Sequence, residues 1–136
     1  LIYLDIGNPK WLSVPKAVSY LTLCDIHKVK GFALNTSNYY ATSTCFKYGK
    51  DISKRLDDTH FVIDTSRNGN GANSEHFNPY GRALGELPTT NTCDEIVDAY
   101  LWVKVPGESD GAVNGGPKAG RFSHNLALDL IHNKKS

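Results

Sequence analysis

His60-Phe-Val-Ile-Asp64, running directly into Thr65-Ser-Arg-Asn-Gly-Asn-Gly71, decides the fold. Its three consecutive apolar residues, two of them β-branched, show no alternation with polar positions, so the run reads as a strand buried on both faces. A strand buried on both faces belongs to a parallel sheet carrying helices. It ends in a carboxylate and passes straight into turn-forming residues. Leu1-Ile-Tyr-Leu-Asp5 has the same form and is followed by a Gly7-Asn8-Pro9 turn. Phe32–Leu34 is a third, shorter strand that enters the polar segment Asn35-Thr-Ser-Asn38. Ala99–Val105 is the fourth.

Helical patterns lie between these strands. Pro15 suits a helix start, Val18, Leu21, Ile26 and Val29 recur at helical spacing, and Gly31 stops the run. Cys45, Tyr48, Ile52 and Leu56 share one face of a second helix. Phe122, Leu126, Leu130 and Ile131 mark a closing helix, with Lys134-Lys135 at its end, where cations complement the helix dipole. A long loop from about Thr65 to Glu95 and a glycine-rich one from Pro106 to Gly120 complete the chain. Loops of such length in a compact domain carry function or stay disordered. The order β-α-β-α-β-loop-β-loop-α predicts an α/β fold with parallel pairing. Four strands are too few for a closed barrel of about eight.

The 136 residues correspond to one domain, and a chain of this size can bury a sizeable core. Lys and Arg total 15 against 14 Asp and Glu, a net charge of +1 that points to neither nucleic acid nor a membrane surface. No apolar run approaches the roughly 18 residues of a membrane span. Leu1 to Leu4 reads as buried strand, with neither a charged leader nor a cleavage pattern, so either a signal was removed or the chain is part of something longer. The three cysteines, Cys24, Cys45 and Cys93, match no zinc spacing. One disulfide is open to them, while Cys24 and Cys45 read best as small core residues on helices.

In barrel-like α/β folds the reactive groups sit where strands end. Those ends carry Asp5, Asn35, Asn38, Asp64, Lys104, Glu108 and Asp110, with Trp11 in the loop after the first strand. Carboxylates, amides, a lysine and an aromatic platform suit carbohydrate, because glycosidic cleavage needs one acid to protonate the leaving oxygen and a second carboxylate to activate water or attack. Other residues read as structural. Asp64 holds the Thr65-Ser66-Arg67 turn, with Arg67 as its ion-pair partner. His60 is a rim histidine, Trp102 a mid-strand core residue, and no histidine spacing suggests a metal site. Asn35-Thr36-Ser37 is a glycosylation sequon, a mild sign of secretion.

Several motifs, in order along nearly the whole chain, resemble glycoside hydrolase family 6. They are Tyr3-Leu-Asp-Ile-Gly7 with Trp11, Gly31-Phe-Ala-Leu-Asn-Thr-Ser-Asn-Tyr39, Phe61-Val-Ile-Asp-Thr-Ser-Arg-Asn-Gly-Asn-Gly71, Gly81-Arg-Ala-Leu-Gly85, Pro88-Thr-Thr-Asn-Thr92, Asp98-Ala-Tyr-Leu-Trp-Val-Lys104, Pro106-Gly-Glu-Ser-Asp-Gly111 and Asn114-Gly-Gly-Pro117. The resemblance implies a cellulase, an endoglucanase or cellobiohydrolase cleaving β-1,4-glucan with inversion on a distorted seven-stranded barrel, without a cofactor and outside the cell. Residues 1–136 would form a single domain matching the C-terminal part of that barrel: a partial, half barrel of about four strands and three helices. Asp110 falls at the position of the proposed catalytic base. Asp5, Asn38, Lys104 and Glu108 fall at substrate-contacting positions, and Trp11 at a stacking platform. The family's general acid lies on strands with no match in these residues. The implied partners are a β-1,4-glucan chain and a second chain or a second copy that completes the barrel. Locally, His76-Phe77-Asn78-Pro79 stands where the family has Trp-Cys-Asn-Pro, and Ser123-His124-Asn125 where the partner cysteine lies. The resemblance therefore implies the loss of one stacking tryptophan and of both halves of a disulfide, and these losses with the missing acid leave a second reading open: a non-catalytic glucan-binding or extracellular structural, self-assembling protein derived from a cellulase. A second platform tryptophan of the family is Val14 here.

Overall fold

A computed structural model describes residues 1–135 of the chain. Four strands, β1 (Tyr3–Asp5), β2 (Gly31–Leu34), β3 (His60–Asp64) and β4 (Val97–Leu101), form one all-parallel sheet in sequence order. Three α-helices, α1 (Val14–Leu23), α2 (Thr42–Lys54) and α3 (His124–His132), complete the open α/β fold expected from the strand–helix alternation.

The unalternated strands read correctly: every residue of β2 is buried, as are Phe61 to Asp64 of β3. Period-two geometry sends alternate residues to opposite faces. Phe32, Leu34, Phe61, Ile63 and Val97 pack with Ala17 and Leu21 of α1 and Cys45, Tyr48 and Ile52 of α2 in the main core. At its centre Phe32 and Phe61, register partners on adjacent strands, stack with ring centroids 5.1 Å apart. Gly49 of α2 lies against the Phe61 ring, where any Cβ would collide with it, so the close approach of helix to sheet requires glycine there. The opposite face carries the smaller cluster Ala33, Val62 and Ala99, with Tyr3 and Leu101 against it.

One irregularity reorients a charged group. Phe61 pairs with Val97 but Val62 with Ala99, so Asp98 is the extra residue of a bulge. Asp98 accepts the Tyr3 hydroxyl at 2.6 Å and meets His60 Nδ1 at 2.6 Å. His60 is thus a half-buried residue hydrogen-bonded to Asp98 at the start of its strand, away from the strand ends that bear the site.

Several expectations need correction. Leu1 and Ile2 are exposed and lie outside β1, an edge strand with a neighbour on one side only. Helix α1 stops at Leu23 rather than near Gly31, because Asp25 adopts a left-handed backbone (φ 55°) and starts a separate 3₁₀ turn, Ile26–Lys28. Cys24 is therefore exposed just past the helix end, whereas Cys45 is fully buried as expected. All three thiols are free. β4 ends at Leu101, so Trp102 is not in mid-strand; it is half-buried, and its indole N–H donates to the Glu86 carbonyl at 2.9 Å. In α3 only Leu130 is fully buried, while Phe122 lies before the helix and is exposed along with Ile131. The 65–95 loop contains no helix or strand but is pinned at Gly69 N–H to Ala83 O (3.0 Å) and Gly85 N–H to Thr65 O (2.9 Å).

Candidate active site

The C-terminal ends of β2, β3 and β4 are tied together by a single buried carboxylate. Asp64, 1% exposed, accepts three backbone N–H bonds: from Ser66 at 2.9 Å, from Ser37 at 2.9 Å and from Lys104 at 3.0 Å. It is structural, as the sequence suggests. Its expected partner is not: with Asp64 saturated by backbone donors, Arg67 turns instead to Asp110, Nη1 to Oδ2 at 2.7 Å.

Asp110 is the best-supported carboxylate of the region. Its Oδ2 accepts from Arg67, from the Tyr39 hydroxyl at 2.6 Å and from the Asn78 N–H at 3.0 Å. Its Oδ1 faces Lys104 Nζ at 3.4 Å. The side chain is only 9% exposed. Burial alone would raise the carboxyl's pKa, but the hydrogen bonds from Arg67, Tyr39 and Asn78, together with the Arg67 charge, outweigh it and hold the group below its ordinary value. Arg67 is itself buried, donates through Nη2 to the Ser37 carbonyl at 2.7 Å and lies 4.4 Å above the Tyr39 ring. Burial pushes the Tyr39 phenol well above its usual value, so it stays a donor.

Of the candidates, Trp11, Asn38, Lys104 and Asp110 line one open cleft of about 490 Å³, together with Ser37, Phe77 and Ser109. Trp11 is 67% exposed. Its ring lies against Gly7, where φ is +83° and a Cβ would strike the indole, so the turn after β1 needs glycine to seat it. Asn38 turns its Oδ1 to the neighbouring Tyr39 N–H at 2.9 Å. Glu108 reaches the cluster through Lys104, Nζ to Oε2 at 3.6 Å, and lines the adjoining crevice beside Tyr39 and Arg67. Asp5, exposed at the end of β1, accepts the Gly7 N–H at 2.8 Å and does not line the cleft with Asp110. Asn35 is fully buried, its amide donating to the carbonyls of Tyr40 and Asp64 at 3.0 Å each. The sequon's asparagine is therefore inaccessible in the folded chain. Among the described residues no group of three or more His, Cys, Asp or Glu could hold a metal ion. No helix among them is long and apolar enough to cross a membrane.

Arg67, Tyr39 and Asn78 were not among the expected site residues. A signal for one of them was present. Arg67 directly follows the buried strand in Val62-Ile-Asp-Thr-Ser-Arg67, and a guanidinium buried there demands an acid.

The model of the family described as "Glycosyl hydrolases family 6" matches residues 1–134. Endoglucanase A of Cellulomonas fimi is 52% identical over 134 residues, covering 98% of this chain and 30% of its own length. A probable 1,4-beta-D-glucan cellobiohydrolase C of Aspergillus fumigatus is 34% identical, over 83% of this chain and 32% of its own. The solved endoglucanase of Mycobacterium tuberculosis, in complex with a thio-linked cellobioside, superposes with a TM-score of 0.91 at 46% identity, covering 96% of this chain and 46% of that one. The chain thus spans well under two thirds of the length of each of these relatives. With the family model matched over nearly every residue and the sheet superposing on a solved member, this chain belongs to glycosyl hydrolase family 6.

Proposed function

We propose that the chain carries the base side of an inverting β-1,4-glucan hydrolase. In this reading Asp110 activates a water through Oδ1, the oxygen left free of the Arg67, Tyr39 and Asn78 donors. Lys104 and Glu108 bind sugar hydroxyls beside it, Asn38 contacts a neighbouring ring, and Trp11 is the stacking platform. Asp5 approaches the substrate from the β1 side. The general acid has no counterpart among these residues and is supplied from outside them, about 6.5–9.5 Å from the base across the scissile bond. The partners are a glucan chain and a second chain or second copy closing the sheet, in which β1 has one unpaired edge while the outer edge of β4 is bridged at Tyr100 by Thr89. The reading also implies an extracellular setting and residues 1–136 as one domain. The observation that carries it is the cleft itself: an exposed indole, an amide, a lysine and a desolvated carboxylate along one open surface.

A second reading is favoured by the lowered pKa of Asp110. A weak base gives little general-base help, since efficiency is greatest when the pKa lies near the working pH. On that reading the cleft binds glucan without cleaving it. One experiment separates the two: hydrolysis of a soluble β-1,4-glucan and binding of a cello-oligosaccharide, each measured for wild type, Asp110→Asn and Trp11→Ala, with the mass in solution recorded by light scattering. Turnover lost in Asp110→Asn supports the base, and an assembly larger than one chain supports completion by a partner. Binding lost only in Trp11→Ala, with no turnover anywhere, establishes the binding reading. Neither turnover nor binding overturns both.

A further inference from the structure

We propose that Asn78 is the positioning residue of Asp110, gripping it at both its backbone and its carboxylate and thereby stapling the 76–79 segment to the glycine-rich 106–120 loop. Asn78 is 94% buried, being 6% exposed, and sits in the left-handed region at φ 44°. Asparagine tolerates that conformation better than most residues other than glycine. Its side-chain amide is fully used. Nδ2 is 3.1 Å from Ser109 Oγ, 2.9 Å from the Gly111 carbonyl and 3.1 Å from that of Val113. Oδ1 accepts the Asp110 N–H at 2.9 Å. The backbone N–H of Asn78 donates to Asp110 Oδ2 at 3.0 Å. One residue therefore fixes where the Asp110 backbone lies and where its carboxylate points.

The surroundings are shaped to this grip. A Cβ on Gly116 would collide with Asn78 Nδ2, so glycine keeps the loop close enough for the three carbonyl and hydroxyl acceptors. Ser109, 1% exposed, takes the amide on Oγ and donates onward to the Pro117 carbonyl at 2.7 Å. Asn114 Nδ2, donating to the Phe77 carbonyl at 3.1 Å, is a second tie between the two segments. Aspartate at position 78 would keep the Oδ1 acceptor but lose both amide hydrogens. Glycine would keep the backbone N–H and the φ but lose the side chain.

What the grip does for catalysis rests on the reading of Asp110 as the base. The grip itself is read without turnover, so an inactive chain would refute that role and leave this inference standing. The first measurement is amide hydrogen exchange on the unaltered chain, in which the Asp110 N–H must be protected; exchange at the free-peptide rate overturns the proposal before any variant is made. In Asn78→Gly the Asp110 N–H exchanges about 10-fold faster or more, and so it does in Asn78→Asp, where an oxygen in place of Nδ2 would face the Gly111 and Val113 carbonyls. Carboxyl-carbon NMR of the same samples follows Asp110, which faces Arg67, Lys104 and Tyr39 and has Glu108 beyond Lys104. Its midpoint rises in Asn78→Gly as the loop moves the carboxylate away from its donors. The carboxyl of Asp94, held low by Lys50 well away from the cleft, stays where it is. Unchanged Asp110 exchange and titration in a folded Asn78→Gly would sink the idea.

Discussion

Replacing Arg67 with methionine should cost the chain about 3 kcal/mol at pH 7, and most of that cost should disappear in acid. The pair it breaks is buried on both sides, Arg67 at 5% and Asp110 at 9% side-chain exposure, with Nη1 and Oδ2 2.7 Å apart. Removing one partner of such a pair leaves an uncompensated buried charge, a loss of about 3–5 kcal/mol. Two features pull the figure toward the lower end. Lys104 Nζ remains 3.4 Å from Oδ1, and Tyr39 and the Asn78 N–H still donate to Oδ2. One feature pulls the other way: the Ser37 carbonyl loses its donor from Nη2, about 1 kcal/mol more. The assay is urea unfolding followed by circular dichroism. With a slope of about 2 kcal/mol per molar, the midpoint should fall by about 1.5 M. The pH dependence identifies the cause. In the wild type the folded Asp110 carboxyl titrates below its unfolded value, so its stabilisation is fully present above about pH 4 and fades as the pH drops through the folded pKa. In Arg67→Met burial acts with less opposition and lifts the carboxyl, so protonation relieves the penalty. The gap between the two proteins should therefore narrow steadily from pH 5 to pH 3. Equal stability at pH 7 would refute the ion pair as a stabilising contact. A gap of constant size at both ends of the range would show a packing defect instead of a lost charge partner.

Thiol accessibility gives a second check. Cys24 and Cys93 are exposed, while Cys45 is fully buried and burial pushes its thiol up to about 12. A disulfide-exchange reagent at pH 8 should titrate two thiols in the folded chain and the third only after unfolding; three at once would contradict the core packing of α2. The Asn35 amide gives a further one. Asn35→Ala should cost about 2 kcal/mol in urea unfolding, because the buried carbonyls of Tyr40 and Asp64 lose their donor. Stability equal to wild type would mean that the Asn35 amide is not engaged as described.

The strands were legible because their signal is local. Phe61-Val-Ile and Phe32-Ala-Leu are buried on both faces, so side-chain chemistry along a few residues reports the environment directly. The ends of elements were less legible because distant groups set them. Ala99–Val105 is apolar enough to extend as one strand, yet the Lys104 N–H is taken by the Asp64 carboxylate, 40 residues earlier, and the chain leaves the ladder after Leu101. Residues 24 and 25 carry no glycine or proline, so nothing local announced that α1 would break there.

The site shows the same division. Asp110, Lys104 and Trp11, singled out by strand-end position and motif, lie along one cleft. The ion pair at its centre was assigned to the wrong acid. Local reasoning joined Arg67 to Asp64, three residues away, because a tight turn brings such neighbours together. A buried carboxylate, however, satisfies itself with whatever donors the backbone already presents, and three strand-end loops point their N–H groups at Asp64. Those bonds need no side-chain ordering, so they leave the arginine unclaimed. Arg67, buried in the same turn, must then find an anion elsewhere, and Asp110, 43 residues on, is the carboxylate within its reach. The structural acid thus determines the surroundings of the cleft's own carboxylate: by filling itself with backbone donors, Asp64 releases the cation that keeps Asp110 ionised in a desolvated cleft.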